Sequence, residues 1–248
     1  MFNFLFTFYY NWKRIHYKSL YLIFEIKYLG VITVAKLYLV RHGETFLNKL
    51  GRMQGQIDSF LTLKGHAQAQ QVGKSLRNIN FTKIFSSDLG RAIQTTRDII
   101  EELHLEKLPY ITNSDIREVN FGSFDGLPCD NVWSKITRST PYDDQNDIIK
   151  HGGMEEVRSL MLITDENKYA ESYREIIDRW KRFVPKLEPL KETDNVLIVS
   201  HGTFIRTISE YYGANVAGKN NVPINGGVTI FNVNQGIVSL KKYNVLLN

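Results

Sequence analysis

A single cysteine, Cys129, stands among the 248 residues of the chain. One thiol excludes an internal disulfide and any zinc cluster built on cysteines, and it fits a reducing setting. Long apolar runs are scarce as well. A membrane span needs ~20 mostly apolar residues. The aromatic-rich start falls short, because Lys13, Arg14 and Lys18 interrupt its first half and Glu25 and Lys27 its second. It does not read as a signal peptide either: the charges follow the apolar stretch, and no Ala-x-Ala-like site closes it. These absences predict no stable membrane span and a cytoplasmic protein. Charge of one sign is missing from most of the chain. Of the net +5, residues 1–36 carry +4 (Lys13, Arg14, Lys18, Lys27 and Lys36 against Glu25), which leaves +1 for the rest. A nearly neutral main domain speaks against nucleic acid as partner.

What the first 36 residues do have is aromatics: Phe2, Phe4, Phe6, Phe8, Tyr9, Tyr10 and Trp12. Three readings fit them: an ordered helical extension, an interfacial aromatic–basic anchor, or a segment foreign to the native protein, with translation starting near Val34. We favour the third, because a full α/β pattern begins at Leu37. The expected division is therefore an extension over 1–36 and one domain over 37–248.

From residue 37 strand and helix signals alternate. Leu37–Val40, Thr82–Ser86 and Asn195–Ser200 are short apolar runs of strand type. Helical spacing marks 64–79, with Thr62 as its N-cap, then 89–103, 170–187 with Pro185 ending or kinking it, and 203–212. Gly227–Val233 and Ile237–Tyr243 flank Asn234-Gln235-Gly236, a hairpin signal. The alternation predicts an α/β fold, a three-layer α/β/α sandwich with a largely parallel central sheet. Residues 125–169 break the rhythm with Pro128, Pro141 and Gly152-Gly153. They read as an inserted, mostly helical cap, where substrate contacts are often supplied.

Two apolar strands end in His-Gly: Val40-Arg41-His42-Gly43 and Val199-Ser200-His201-Gly202. Ligands of open α/β sheets bind beyond the carboxyl ends of the strands, so both histidines should face one crevice. A zinc or iron site is one use of two histidines. The neighbouring Arg41 argues against it, since a guanidinium repels a divalent cation and suits phosphate bidentately. Arg91 falls where a strand gives way to a helix N-terminus, which also favours anions. Two arginines and two histidines suit a small-molecule phosphate monoester. An acid for the leaving alkoxide is offered by Glu118, which a nearby dianion would help to keep protonated. Asp115 is a weaker rival for that role. His16, His66, His104 and His151 share no motif and read as surface or structural groups; Glu44 reads as a structural partner, and Trp133 and Trp180 as core.

Together these segments resemble the histidine phosphatase superfamily, also called the phosphoglycerate mutase-like family. The resemblance rests on Leu39-Val-Arg-His-Gly-Glu-Thr45 with Asn48 after it, Arg52-Met-Gln-Gly-Gln-Ile-Asp58 with Leu61-Thr-Leu-Lys-Gly65, Ser87 to Thr95, Arg117-Glu118 to Gly122, and Ser200-His-Gly202. The motifs occur in the family's order and span about residues 37–245. The resemblance implies that His42 is the phosphohistidine nucleophile. By the same resemblance Arg41, Arg91, His201 and Gly202 hold the phosphoryl group, Asn48 and the backbone near Gln54 and Gly55 line the pocket, and Glu118 is general acid, then base. It implies no metal and no cofactor. Phe60 stands where many members have proline, and Ala170-Glu-Ser172 replaces a common Gly-Glu-Ser.

Within that family the chain looks like a phosphatase acting on a small phosphorylated metabolite. Cofactor-dependent mutases resemble Glu-Arg-His-Tyr-Gly at the acid segment, where this chain has Glu118-Val-Asn-Phe-Gly122, and they carry paired arginines in the insert, where Arg138 and Arg158 stand apart. Mutase-type phosphotransfer is the main alternative. A non-catalytic phosphate-binding regulatory domain is a second one, from a different class.

Overall fold

The computed structural model describes residues 34–247. The expectations for the aromatic start at residues 1–33 lie outside the described residues. Six strands, β1 (Ala35–Arg41), β2 (Lys83–Ser86), β3 (Tyr110–Thr112), β4 (Asn195–Ser200), β5 (Val228–Asn234) and β6 (Ile237–Val245), form one sheet in the order β3-β2-β4-β1-β5-β6. The first four of that order are parallel, and β5 and β6 are antiparallel to their neighbours. The sheet is thus mixed: the expected parallel body carries the expected hairpin as an antiparallel edge. Gln235 and Gly236, both at positive φ, make its turn. The three-residue β3 was not expected; it is too short to show a period of two.

Side-chain alternation divides the core between the sheet's two faces. Leu37, Leu39, Val196 and Ile198 face Trp180, Phe183, Phe204 and Ile208. Tyr38, Val40, Leu197 and Val199 face Ala69, Val72, Ala92 and Ile99 on the other side. The second group comes from α2 (Leu63–Ser75) and α3 (Gly90–Leu103), which follow α1 (Phe46–Lys49). Thr62 caps α2 as expected, accepting from the Gly65 N–H at 3.1 Å; such caps contribute about 1 kcal/mol.

The insert supplies α4 (Cys129–Thr137) and α5 (Gln145–Thr164), so its described structure is helical as expected. α5 kinks at Gly153, where φ is 69°. α6 (Tyr173–Phe183) starts later than the periodicity suggests, because Ser172 and Glu175 form a capping box ahead of it. It passes into a 3-10 turn at Val184–Leu187, where Pro185 lacks the N–H that an α-helix needs. α7 (Gly202–Tyr211) follows β4 directly. Among the described residues no helix is long and apolar enough to cross a membrane.

Candidate active site

Strand register creates the site. Arg41 at the end of β1 pairs with Ser200 at the end of β4, so the next residues, His42 and His201, emerge side by side. Their ring centroids lie 5.1 Å apart. Arg91 lies between them from the first turn of α3: its Nε is 3.2 Å from His42 Nε2 and 3.1 Å from His201 Nδ1. An N–H can only donate, so both of those nitrogens are acceptors. The proton of His42 is then on Nδ1, which donates to the Gly43 carbonyl at 2.7 Å. The proton of His201 is on Nε2. The two rings hold opposite tautomers, and the His42 lone pair sits at Nε2.

Both imidazoles are pushed well below the ordinary histidine range, first by burial and then by the Arg91 charge, with Arg41 adding to it. They are neutral, so the fixed positive charge of the site comes from the two arginines. Of the four buried side-chain polar atoms without a partner among the described residues, two are here: Arg41 Nε and His201 Nε2. A buried donor left unpaired costs about 1–3 kcal/mol. An anion seated at both would remove that cost. Gly202 lets the Arg41 guanidinium approach, since a Cβ there would lie 3.0 Å from Arg41 Nε.

Glu118 is buried at the N-terminus of α7. Its Oε1 accepts from the N–H of Phe204 at 2.8 Å and of Val119 at 2.9 Å, and its Oε2 from that of Thr203 at 3.0 Å. The expectation pictured an acid governed by a neighbouring anion. The structure places the carboxyl among backbone donors, which sequence spacing could not show.

Asn48 and Gln54 are linked to His42 through Asn225. Asn48 donates to Gln54 Oε1 at 3.4 Å, and Gln54 Oε1 also accepts from Thr45 Oγ1 at 2.5 Å. Of the backbone near Gln54 and Gly55, the Gly55 N–H donates to Asp125 Oδ1 at 2.7 Å, while the Gly55 carbonyl accepts from Arg91 at 2.7 Å and so holds the arginine.

Several contributors were missed. Asn225 donates to the His42 carbonyl at 3.0 Å and to Asn48 Oδ1 at 3.3 Å. Thr95 Oγ1 accepts from the Gly43 N–H at 3.1 Å. Asp58 accepts from Arg91 at 3.1 Å, and Asp125 also accepts from the Gln56 N–H at 3.2 Å. Asp58 and Thr95 fall inside motifs that were noticed, so each could have been asked for a role; Asp125 opens the inserted segment. Asn225 lies in a Pro-Ile-Asn-Gly-Gly loop with no local signal beyond a turn.

The remaining candidates behave as structural groups. Glu44 binds Thr62 and Lys64, His66 binds Asp98, and His151 binds Asp147. His104 ends α3 in the left-handed conformation. Asp115 is held by Arg182 and Lys186. Trp180 is fully buried.

A mixed α/β sandwich whose adjoining strand ends bring two buried histidines together around one arginine, with a second arginine beside them, is the framework of a histidine-dependent phosphotransfer family. The family model of the histidine phosphatase superfamily (branch 1) matches residues 37–246, and the chain belongs to that superfamily. It is similar to an Erwinia tasmaniensis protein named "Probable phosphoglycerate mutase GpmB", with 32% identity over 170 residues, 67% of this chain and 69% of that protein. A Yersinia pestis protein of the same name is 41% identical over 110 residues, 44% of this chain and 46% of its own length, so the match spans less than half of that relative. Among solved structures, a phosphoglycerate mutase from Bacillus anthracis superposes with a TM-score of 0.78 at 31% identity, covering 86% of this chain and 93% of that one. A mycobacterial glucosyl-3-phosphoglycerate phosphatase superposes at 0.62 with 26% identity, covering 85% and 99%.

Proposed function

We propose that the chain is a metal-independent phosphomonoester hydrolase of the cytoplasm, acting through a phosphohistidine on a small phosphorylated metabolite. The observation that carries this reading is the pair of unpartnered buried donors, Arg41 Nε and His201 Nε2, beside the unprotonated Nε2 of His42. His42 Nε2 attacks phosphorus and the bond to the alcohol oxygen breaks, while Glu118 gives the departing oxygen a proton. Water then attacks the phosphohistidine, Glu118 takes a proton from it, and inorganic phosphate leaves with His42 restored. The arginines and His201 stabilise charge on the phosphoryl oxygens in both steps.

The second reading is mutase-type transfer, which the names of the Erwinia and Bacillus proteins favour. A mutase returns the phosphoryl group to a second hydroxyl of an acidic substrate and needs cations for that acid. Val119 is fully buried and apolar, and Arg158 is directed to the backbone carbonyls of Asn120 and Glu171. Both facts support water as acceptor. Steady-state assays with chelator present separate the readings. Phosphate release from simple monoesters without interconversion of phosphoglycerates supports hydrolysis, and the reverse pattern supports the mutase. Phosphate binding without any turnover would mark a regulatory domain, and loss of activity on chelation would overturn the metal-free mechanism.

A further inference from the structure

Beside the phosphate pocket runs a groove of about 750 Å³, lined in part by Gln56, Asn120, Tyr169, Glu171, Ser172 and Glu175. It adjoins the acid segment. Asn120 lies two residues after Glu118, and Gln56 Nε2 donates to the Glu118 carbonyl at 3.5 Å. Gln56 also follows Gly55, whose carbonyl holds Arg91. Through Gln56 and Asn120 the groove is tied to the segments that carry Glu118 and hold Arg91.

The cations around the groove are already engaged. Lys168, which lines it, donates to the carbonyls of Leu162 at 3.1 Å and Ile163 at 2.5 Å. Arg179 forms a two-point ion pair with Glu171 at 2.5 and 2.9 Å, and Arg117 one with Asp88 at 2.6 and 2.5 Å. A carboxylate or second phosphate entering here would lose water and meet Glu175, with Lys168, already held by two carbonyls, as the one cationic side chain in the lining. Hydroxyl groups fare differently. They donate to carboxylates and accept from amides, and the groove offers both.

Tyr169 adds a platform. Its side chain is exposed, with 68% of the residue open to solvent, yet its backbone is tied down. The buried Asp165 accepts from the N–H groups of Asn167 at 3.2 Å and of Tyr169 and Ala170 at 2.8 Å each. An open aromatic ring on a tied-down backbone, beside carboxylates and amides, suits a molecule with an apolar C–H face and a rim of hydroxyls.

We infer that the alcohol released is an uncharged polyhydroxy compound of the carbohydrate class, seated in this groove against Tyr169. The inference rests on the phosphatase reading above. The test is steady-state kinetics on a hexose 6-phosphate and on 3-phosphoglycerate, for the full chain and for Tyr169→Ala and Tyr169→Phe, with p-nitrophenyl phosphate as a separate check of hydrolysis. The expected result is a kcat/KM for the hexose phosphate about tenfold or more above that for phosphoglycerate, by the price of an unpaired acid. Tyr169→Ala should reduce that ratio by about tenfold, mainly through KM, and Tyr169→Phe, which keeps the ring, should retain it. Preference for phosphoglycerate, or an unchanged ratio in Tyr169→Ala, overturns the carbohydrate assignment while hydrolysis of p-nitrophenyl phosphate leaves the phosphatase reading intact. No release of phosphate from any ester overturns both.

Discussion

Arg91 Nε lies 3.2 Å from His42 Nε2, and the same N–H reaches His201 Nδ1 at 3.1 Å. One donor thereby fixes two tautomers of opposite sense, with the lone pair of His42 at Nε2 and the N–H of His201 at Nε2. The rest of the guanidinium is anchored by the Gly55 and Ile57 carbonyls and by Asp58. Lysine has the charge but no Nε–H in that plane. Arg91→Lys should lower kcat by about 100-fold or more, as loss of a preorganised charged donor does. Nitrogen NMR should show both imidazoles losing their single tautomer. Wild-type kcat in this variant would refute the arrangement.

Acid should weaken the fold through the same two rings. Both are held well below the ordinary histidine range, by burial first and the arginines second. In the unfolded chain they titrate near 6.5. Above that pH both states are neutral and nothing is lost. Below it the unfolded chain binds protons that the native one refuses, so stability falls as pH falls, by ~1.4 kcal/mol per pH unit for each ring until the folded form titrates. Melting temperatures between pH 7.5 and 5 should decline, and His42→Asn with His201→Asn should flatten the decline. A flat wild-type profile would count against neutral buried rings.

Gly202 tests the seat of Arg41. A Cβ there would lie 3.0 Å from Arg41 Nε and 3.2 Å from Cζ, closer than either atom tolerates without moving. Gly202→Ala should displace the guanidinium and weaken inhibition by inorganic phosphate about tenfold, ~1.4 kcal/mol. The melting temperature should change little beside that loss. Unchanged phosphate inhibition would place Arg41 outside the anion site.

What could be foreseen depended on how local the cause was. His42 and His201 were legible because an apolar strand followed by His-Gly is a contiguous pattern, and parallel strands end at one edge. The Thr62 cap was legible for the same reason. The partner of the Gly55 N–H was not legible, because Asp125 is seventy positions away. Asn225 escaped notice because it is brought to His42 by the turn into β5, across 183 positions. The start of α6 moved because a capping box outranked the apolar period. Contiguous signals located the pocket, and contacts distant in sequence decided which atoms face it.

The kink in α5 carries a final expectation. Gly153 leaves helical geometry, and the second half of the helix begins at Met154, whose N–H is met by both carboxylate oxygens of Glu210 at 2.9 and 3.0 Å. Glu210 lies near the end of α7, the helix whose first turn holds Glu118. Its carboxyl is pushed up by burial, and the Met154 N–H acts in the opposite sense. It serves as an N-cap supplied from another helix. Glu210→Ala should cost about 1–2 kcal/mol, the usual range for a lost cap. Amide exchange at residues 154–157 should accelerate, while Glu210→Gln, which keeps an acceptor oxygen, should recover most of the protection. If exchange there matched the wild type in Glu210→Ala, the helix would be held by its packing alone, and the carboxylate would have no part in fixing the cap.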